Sequence, residues 1–195
     1  MAAIQTLNAD VSITAGVLAG GEGRRLAGAD KGLVRWRGQP LVQHVLAALK
    51  PQSAAQLISA NRNLDVYACF GVPVVRDGDG SGPLAGLAAL LAAAQHEWLL
   101  CVPCDAPLLP ADLAARLLAT AQAAHADACT LHDGERVHPT FCLVRTALAA
   151  SAGAAAARSM GLGDWLTQQG AVTLHAMAPL NLNTAEDFAA LDALP

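Results

Sequence analysis

Residues 13–32, ITAGVLAGGEGRRLAGADKG, join a short apolar run to a loop rich in glycine and basic side chains. The run from Ile13 to Ala19 predicts a β-strand, and Gly20 with Gly21 predicts a turn directly after it. Glycines let a backbone wrap closely around a ligand with its amides free to donate hydrogen bonds. The stretch therefore predicts a strand that leads into a ligand-binding loop.

The same loop opens the basic cluster of the chain. Five of the 12 lysine and arginine residues lie close together: Arg24, Arg25, Lys31, Arg35 and Arg37. Interleaved with glycine, these cations favour binding of a phosphate group. The dinucleotide fingerprint requires a glycine where Leu26 stands, and the Walker pattern requires Gly-Lys-Ser/Thr, whereas Asp30 and Gly32 flank Lys31. A solvated basic surface is the alternative interpretation.

Apolar runs and helical spacings alternate along the rest of the chain. Further strands are predicted at 56–60, 72–76, 98–102, 128–131, 141–144 and 172–175, and helices at 41–49, 84–95 and 110–125. The alanine-rich stretch 146–157 is helical or loosely ordered, and Thr184 is predicted to cap a final helix. The alternation predicts one α/β domain over residues 12–195, with a mostly parallel sheet flanked by helices, and a flexible extension at residues 1–11.

Composition excludes several classes of protein. The net charge of −4 over 195 residues argues against a general nucleic-acid binder. Five cysteines, an odd number at wide spacing, predict buried inert thiols rather than a disulfide framework, and no second Cys-x-x-Cys completes a zinc site with Cys101 and Cys104. The first dozen residues have no basic leader, and the longest helix-like apolar run, 84–94, is too short for a bilayer. We expect a cytoplasmic protein without membrane or nucleic-acid partners.

Asp105 is the strongest metal-binding candidate because of its position after the continuous apolar run 98–102. In open parallel sheets, ligands bind beyond the carboxyl ends of the strands. Magnesium prefers one or two carboxylates together with phosphate oxygens, so Asp105 and the phosphate loop form a consistent pair. Capping of the helix after Pro110 is the alternative role of Asp105. His138 precedes a proline in a polar turn and is not assigned a catalytic role.

A family resemblance becomes specific when the motifs are taken in order. Leu18-Ala19-Gly20-Gly21, two arginines and Gly28-Ala29-Asp30-Lys31-Gly32 resemble the start of the molybdenum cofactor guanylyltransferases, a family of glycosyltransferase-A-like nucleotidyltransferases. The resemblance continues through Asn61-Arg62, Arg76-Asp77, Gly82-Pro83-Leu84-Ala85-Gly86, Pro103-Cys104-Asp105-Ala106-Pro107, His132-Asp133-Gly134-Glu135-Arg136, His138-Pro139-Thr140 and Asn181-Leu182-Asn183-Thr184. Each motif is short, but the ordered set covers almost the whole chain.

The resemblance implies a Rossmann-like nucleotidyltransferase fold and a specific reaction. The expected enzyme transfers GMP from GTP to molybdenum-molybdopterin with Mg²⁺, forms the molybdopterin guanine dinucleotide cofactor and releases pyrophosphate. Nucleotide contacts are implied at Leu18, Ala19, Gly20, Gly21, Lys31, Asn61, Asp77 and Asp105. Arg25, Lys31 and Asp105 are the expected catalytic residues, with Asp105 as the metal ligand. Transient contacts with proteins of molybdenum cofactor biosynthesis, or with acceptor proteins, fit the same picture.

Several of these positions also have plain structural interpretations. Asn61 and Asp77 are common turn formers, although the resemblance makes them guanine or ribose contacts. Gly82 and Gly86 either let a helix start approach the nucleotide or serve turn geometry.

A pair of asparagines near the end of the chain, Asn181 and Asn183, is the candidate acceptor site. If the segment around Leu182 is extended, the two side chains point to the same side. Two amides facing one way suit a polar heterocycle, and the resemblance places acceptor contacts here. The alternative is that both residues hold the turn before the last helix.

Three rival functions fit similar sequence features. A molybdopterin cytidylyltransferase uses CTP on the same acceptor, and a sugar-phosphate nucleotidyltransferase has similar glycine-loop chemistry. The third rival is a nucleotide- or partner-binding module without catalysis, which loss of the metal carboxylate would favour. Asp105 is present.

Overall fold

The computed structural model describes residues 12–19, 30–78, 82–182 and Asp187. The predicted extension at 1–11, the part of the glycine loop that includes Gly20, Gly21 and Arg25, and the positions Asn183 and Thr184 lie outside the described residues.

Strands and helices alternate along the described residues, as predicted. The strands are β1 Ile13–Leu18, β2 Arg35–Trp36, β3 Gln39–Pro40, β4 Ala55–Ser59, β5 Val74–Val75, β6 Trp98–Pro103, β7 Ala128–His132, β8 Val137–Arg145 and β9 Val172–His175. The α-helices are α1 Leu41–Leu49, α2 Leu64–Ala68, α3 Pro83–Ala93, α4 Leu113–Ala123, α5 Ala149–Ala157 and α6 Leu162–Gln168. Short 3₁₀ turns occupy Lys31–Leu33, Lys50–Gln52 and Thr146–Leu148.

Seven of the described strands form one sheet in the order β5-β4-β1-β6-β8-β7-β9. β1 pairs in parallel with β4 and β6, β4 with β5, and β7 with β9. β8 runs antiparallel to both of its neighbours, β6 and β7. The remaining two strands, β2 and β3, form a separate hairpin. The prediction of a mostly parallel sheet flanked by helices is confirmed.

β6 shows how the apolar runs are buried. Alternate residues of a strand face opposite sides of the sheet. Trp98, Leu100 and Val102 belong to a core shared with α1 and α4. Leu99 and Cys101 pack into a second core with α3, α5 and α6. Because helices cover both faces, a continuous apolar run rather than an alternating one marks this strand.

The element boundaries differ from the predictions in a few places. The helix predicted at 110–125 begins at Leu113 and ends at Ala123, because residues 108–112 form a loop and a turn. Asp112 occupies its N-cap position, so Asp105 is not the cap of this helix. The strand predicted at 141–144 is the inner part of a longer strand that starts at Val137. The alanine-rich stretch forms a 3₁₀ turn followed by α5, and α2, α6 and the β2–β3 hairpin were not predicted.

The five cysteines are all free thiols, and four of them are buried, whereas Cys69 is exposed. Burial raises the pKa of the Cys129 thiol to about 12 and raises the pKa of Cys104 further. The thiols of Cys104 and Cys129 are therefore protonated at neutral pH, as expected for inert cysteines. Within the described ranges, no helix has the length and apolar character needed to cross a membrane.

Candidate active site

The carboxyl ends of three adjacent strands meet at one edge of the sheet. Leu18 of β1 lies opposite Ser59 of β4 and Pro103 of β6. Two backbone bonds continue this register: the Ala19 amide donates to the Ser59 carbonyl over 2.8 Å, and the Cys104 amide donates to the Leu18 carbonyl over 3.0 Å. The residues that follow each strand therefore lie at a common edge, where ligands bind in sheets of this type.

Asp105 lies at this edge with only 8% of its surface exposed. Its Oδ2 accepts a hydrogen bond from Lys31 Nζ over 3.2 Å. Its Oδ1 is buried and has no hydrogen-bond partner among the described residues. A buried carboxylate oxygen without a partner costs free energy, and a cation bound to it would remove that cost.

The two charged residues come from segments far apart in the chain. Lys31 opens the 3₁₀ turn Lys31–Leu33, and Asp105 follows β6. Gly32 makes their approach feasible: a Cβ atom there would lie 2.5 Å from the Tyr67 hydroxyl and 3.4 Å from Cys104 Cβ. A side chain at position 32 would therefore clash with Tyr67, and either the turn or Tyr67 would have to move.

A second cluster lies at the ends of β4 and β5. Asn61 Nδ2 donates to Asp77 Oδ2 over 2.9 Å, and the Asp77 amide donates to Asn61 Oδ1 over 3.0 Å. The hydroxyl of Ser59, the last residue of β4, donates to Asp77 Oδ1. Both oxygens of the Asp77 carboxylate thus accept a hydrogen bond. The structure brings the two predicted nucleotide residues, Asn61 and Asp77, into direct contact.

The start of α3 presses against this cluster. A Cβ atom on Gly86 would lie 2.7 Å from Leu18 Cδ2, 2.8 Å from Ser59 Oγ and 3.4 Å from Asp77 Oδ1. Only a glycine at this position allows the first turns of α3 to approach the strand ends so closely. The amino terminus of α3 and its partial positive charge consequently lie near Asp77.

The segment around Asn181 adjoins Asp105. The Leu182 amide donates to the Asp105 carbonyl over 2.8 Å, and the Leu182 side chain is fully buried against Trp36 and Leu41. Asn181 is partly buried next to it, and Asn183 lies outside the described residues. This segment is far from the nucleotide residues in the sequence, but in the fold it is hydrogen bonded to the backbone of the predicted metal ligand, Asp105.

His138 has a partner of its own. Its Nε2 lies 2.5 Å from Asp133 Oδ2, and Asp133 Oδ1 also accepts the backbone amides of Glu135 and Arg136. The backbone bond from Arg136 and the bond to His138 hold the pKa of Asp133 well below its usual range. This arrangement orders the β7–β8 turn and gives His138 a structural partner.

Three polar residues of this edge were missed by sequence reasoning: Asp30, Ser59 and Tyr67. Ser59 had a usable signal, since it is a polar residue at the end of an apolar strand. Asp30 and Tyr67 are 37 positions apart and are joined by a hydrogen bond of 2.6 Å, which local patterns do not reveal.

A metal cluster built from protein side chains alone is not found at this edge. Across residues 12–19, 30–78, 82–182 and 187, no three His, Cys, Asp or Glu side chains are arranged to hold a metal ion. Asp105 thus offers a single carboxylate with one oxygen that has no hydrogen-bond partner among the described residues. This suits a cation that takes its other ligands from phosphates and water.

Comparisons with known proteins agree with this geometry. The model of the MobA-like NTP transferase domain matches residues 15–172. A molybdenum cofactor guanylyltransferase of Pasteurella multocida is 48% identical over 141 residues, which cover 71% of this chain and 75% of that protein.

Two solved structures share the fold. Molybdopterin-guanine dinucleotide biosynthesis protein A from Archaeoglobus fulgidus superposes with a TM-score of 0.78 at 19% identity, covering 91% of this chain and 95% of that one. 2-C-methyl-D-erythritol 4-phosphate cytidylyltransferase from Thermus thermophilus superposes with a TM-score of 0.70 at 21% identity, covering 92% and 96%. With its strand-end carboxylate, its sheet order and these relatives, the chain belongs to the MobA-like NTP transferase family and, within it, to the molybdenum cofactor guanylyltransferases, and it is a nucleotidyltransferase.

Proposed function

We propose that the chain transfers GMP from GTP to molybdenum-molybdopterin in the cytoplasm, with Mg²⁺, and forms the molybdopterin guanine dinucleotide cofactor. The observation that carries the proposal is Asp105, a buried carboxylate with one unpartnered oxygen. It lies between the turn of Lys31 and the segment of Asn181 and Leu182. One charged centre is thereby in reach of a phosphate site and of a second polar segment, as a transfer between two substrates requires.

The choice of base and acceptor is supported by the relatives rather than by the fold. The 48% identity is to a protein named as a guanylyltransferase of the molybdenum cofactor. The same fold occurs in a cytidylyltransferase of another substrate, so the architecture alone does not select guanine.

The nucleotide would lie along the ends of β1 and β4. Backbone amides of the loop that begins with Leu18, Ala19, Gly20 and Gly21 are suited to the phosphates. Asn61 is exposed at the end of β4, and its amide matches the donor and acceptor pattern of a guanine edge. Asp77, held by Ser59 and Asn61, is an acceptor for ribose hydroxyls or for the guanine amino group.

Asp105 would hold the magnesium ion. The fit rests on two features: a carboxylate is the ligand that Mg²⁺ prefers, and Oδ1 of Asp105 is a buried acceptor lacking a partner among the described residues. When bound, the ion would supply positive charge to the phosphate oxygens that surround it.

The bond changes are those of an in-line displacement. An oxygen of the terminal phosphate of molybdopterin forms a bond to the α-phosphorus of GTP, and the bond from that phosphorus to the α,β-bridging oxygen breaks. The electron pair leaves with pyrophosphate. A phosphate oxygen is already ionised at neutral pH, so the attack needs no general base. Lys31 and Arg25 neutralise the charge that collects on pyrophosphate.

Asn181 and Asn183 would bind the pterin of the acceptor. The hydrogen bond from the Leu182 amide to the Asp105 carbonyl keeps this segment beside the predicted metal carboxylate. We also propose transient contacts with proteins that deliver the acceptor or receive the product.

The proposal is tested by comparing nucleotides directly. Purified protein is mixed with GTP, CTP, ATP or UTP, with and without Mg²⁺, and melting temperatures are recorded; transfer to molybdenum-molybdopterin is then followed with α-labelled nucleotide. We expect GTP to be used at least about 10²-fold more efficiently than CTP, because a site with polar groups for one base leaves them unpaired with another. Equal stabilisation and equal use of CTP would contradict the guanylyl assignment.

A further inference from the structure

Asp30, the residue before Lys31, is a buried carboxylate that takes no part in the roles described so far. Its side chain is 5% exposed. Oδ1 accepts a hydrogen bond of 2.6 Å from the Tyr67 hydroxyl, and Oδ2 accepts one of 2.9 Å from Asn63 Nδ2. Nε of Arg62 lies 3.6 Å from the same Oδ2. Two hydrogen-bond donors and one ion-pair partner from one short segment thus surround a single buried carboxylate.

The donors come from the segment that also carries Asn61. Asn61 contacts Asp77, whereas its neighbours Arg62 and Asn63 contact Asp30. Three consecutive residues therefore connect the carboxylate of the nucleotide cluster with the carboxylate beside Lys31.

The backbone at this segment is held in an unusual conformation. Asn63 has φ of 52° and is the N-cap of α2, and its carbonyl accepts the amides of Val66 and Tyr67. The left-handed conformation directs the chain so that Tyr67, one turn later, reaches Asp30. Burial and the bond to Asp30 raise the pKa of Tyr67, so its hydroxyl stays a donor at neutral pH.

The backbone of Asp30 also forms part of the turn that contains Lys31. The Asp30 carbonyl accepts the Leu33 amide over 3.0 Å, which closes the 3₁₀ turn that Lys31 opens. A Cβ atom on Gly32 in this turn would meet both the Tyr67 hydroxyl and the Cβ atom of Cys104, the neighbour of Asp105. The position of Lys31 relative to Asp105 consequently depends on where Asp30 and Tyr67 hold the turn.

We propose that Asp30 is a positioning residue: with Tyr67 and Asn63 it fixes the turn that places Lys31 at Asp105, and it couples this turn to the Asn61 segment. The inference rests on the proposed function in that Lys31 acts on the triphosphate. A buried charge is a costly way to fill space, since apolar side chains of similar volume stabilise a fold at least as well. The carboxylate instead fixes the orientation of the turn, because each of its oxygens accepts a hydrogen bond from one defined donor.

A double-mutant cycle separates positioning from simple stability. Tyr67→Phe removes one donor and keeps the buried ring, and Asn63→Gly removes the other donor at a φ that glycine adopts without strain. Each is made in the wild-type chain and in Lys31→Ala. Ser151→Ala is the matched control, because it removes a single 3.2 Å hydrogen bond from another buried aromatic, Trp165, in the opposite helix layer.

In the wild-type background we expect Tyr67→Phe and Asn63→Gly each to lower kcat about tenfold, since small displacements of a charged group are costly in the transition state. We expect GTP to bind about threefold more weakly, with the affinity for GMP unchanged, because GMP lacks the phosphates that Lys31 would contact. In the Lys31→Ala background the same changes should have less than about a twofold effect, since residues that act through one another are not additive.

Equal fold-losses in both backgrounds, or unchanged kcat and GTP affinity in both single variants, would overturn the inference. Loss of activity by Ser151→Ala to the same extent would also overturn it, because the effect would then follow stability alone. A wild-type chain that binds GTP and transfers no nucleotide would contradict the proposed function instead, and the GTP and GMP affinities would still decide the role of Asp30.

Discussion

Two carboxylates at the same edge of the sheet differ in how completely their oxygens are hydrogen bonded. Both oxygens of Asp77 accept a hydrogen bond, one from Ser59 and one from Asn61. Asp105 uses one oxygen for Lys31 and keeps the other buried without a hydrogen-bond partner among the described residues. The first carboxylate is fixed before any ligand arrives, whereas the second retains capacity for a cation.

The two carboxylates are therefore suited to different functions within one site. A satisfied acceptor holds a defined orientation, which suits recognition of a nucleoside. An under-satisfied buried charge suits a metal ion and the changes in charge that accompany phosphoryl transfer. The two regions should therefore respond differently to the same substitution of aspartate by asparagine.

Asp105→Asn should have the largest effect. The amide keeps the shape of the carboxylate but removes the charge that would hold Mg²⁺, so we expect kcat to fall by about 10²–10³-fold, the range seen when an electrostatic contact to the transition state is lost. Part of the GTP affinity should remain, as should the fold. Steady-state kinetics and calorimetry measure both, with Asp112→Asn, at the start of α4, as the control. Turnover within a few-fold of wild type would exclude the metal role.

Lys31→Ala should have the second-largest effect on activity. It removes the hydrogen bond to Asp105 Oδ2 and the proposed charge-assisted contact to the triphosphate, each interaction of this kind being worth roughly 1.5–3 kcal/mol. We expect GTP affinity and turnover together to fall by about 10- to 10²-fold. Lys50→Ala, which alters an exposed lysine after the end of α1, is the control. If both variants keep wild-type kinetics, the basic cluster is only a solvated surface.

Asp77→Asn should have a smaller effect of a different kind. One end of the new amide would be a donor facing Ser59 or Asn61, both of which donate to Asp77 now. We expect the KM for GTP to rise about tenfold and kcat to change less, because the change disturbs ground-state recognition. Asp127→Asn, in an exposed pair with Arg145, should leave the KM unchanged. A large loss of kcat at constant KM would show that Asp77 acts in the chemical step. The proposed difference between Asp77 and Asp105 would then be wrong.

The double change Asn181→Ala with Asn183→Ala should have the smallest effect on nucleotide binding. We expect GTP affinity and melting temperature near wild type and an increase of roughly fivefold in the KM for the molybdopterin acceptor, since neutral hydrogen bonds contribute about 1 kcal/mol. Acceptor titrations at saturating GTP measure this. Loss of folding would favour the turn role, and loss of GTP binding alone would place these residues on the nucleotide side.

Local sequence patterns predicted the central part of the fold. The continuous apolar run of β6 identified a buried strand, the short apolar run before the glycine loop identified β1, and the helical spacing of apolar residues identified α1. Because parallel strands end at one edge, the residues that follow these runs were predicted to lie close together. Lys31 and Asp105, 74 positions apart, do lie together.

Features set by distant partners were not predictable from local patterns. The reversed direction of β8 depends on its pairing with β6 and β7, which no property of residues 137–145 encodes. α2 has five residues and starts from a left-handed asparagine, so neither length nor helical periodicity marks it. The network of Asp30 and Tyr67 joins two polar residues through tertiary structure alone.

The place of β1 in the sheet also matters while the chain is being made. β1 pairs on one side with β4 and on the other with β6, and the pair Ile13 and Trp98 can form only after about half of the chain has been made. At roughly 5–20 residues per second, the ribosome needs several seconds to add the residues between these two strands. During that interval one edge of an almost entirely apolar strand has no partner, and an open edge of this kind can pair with other chains. The central position that later buries β1 therefore leaves one of its edges open to pairing with other chains until β6 has left the ribosome.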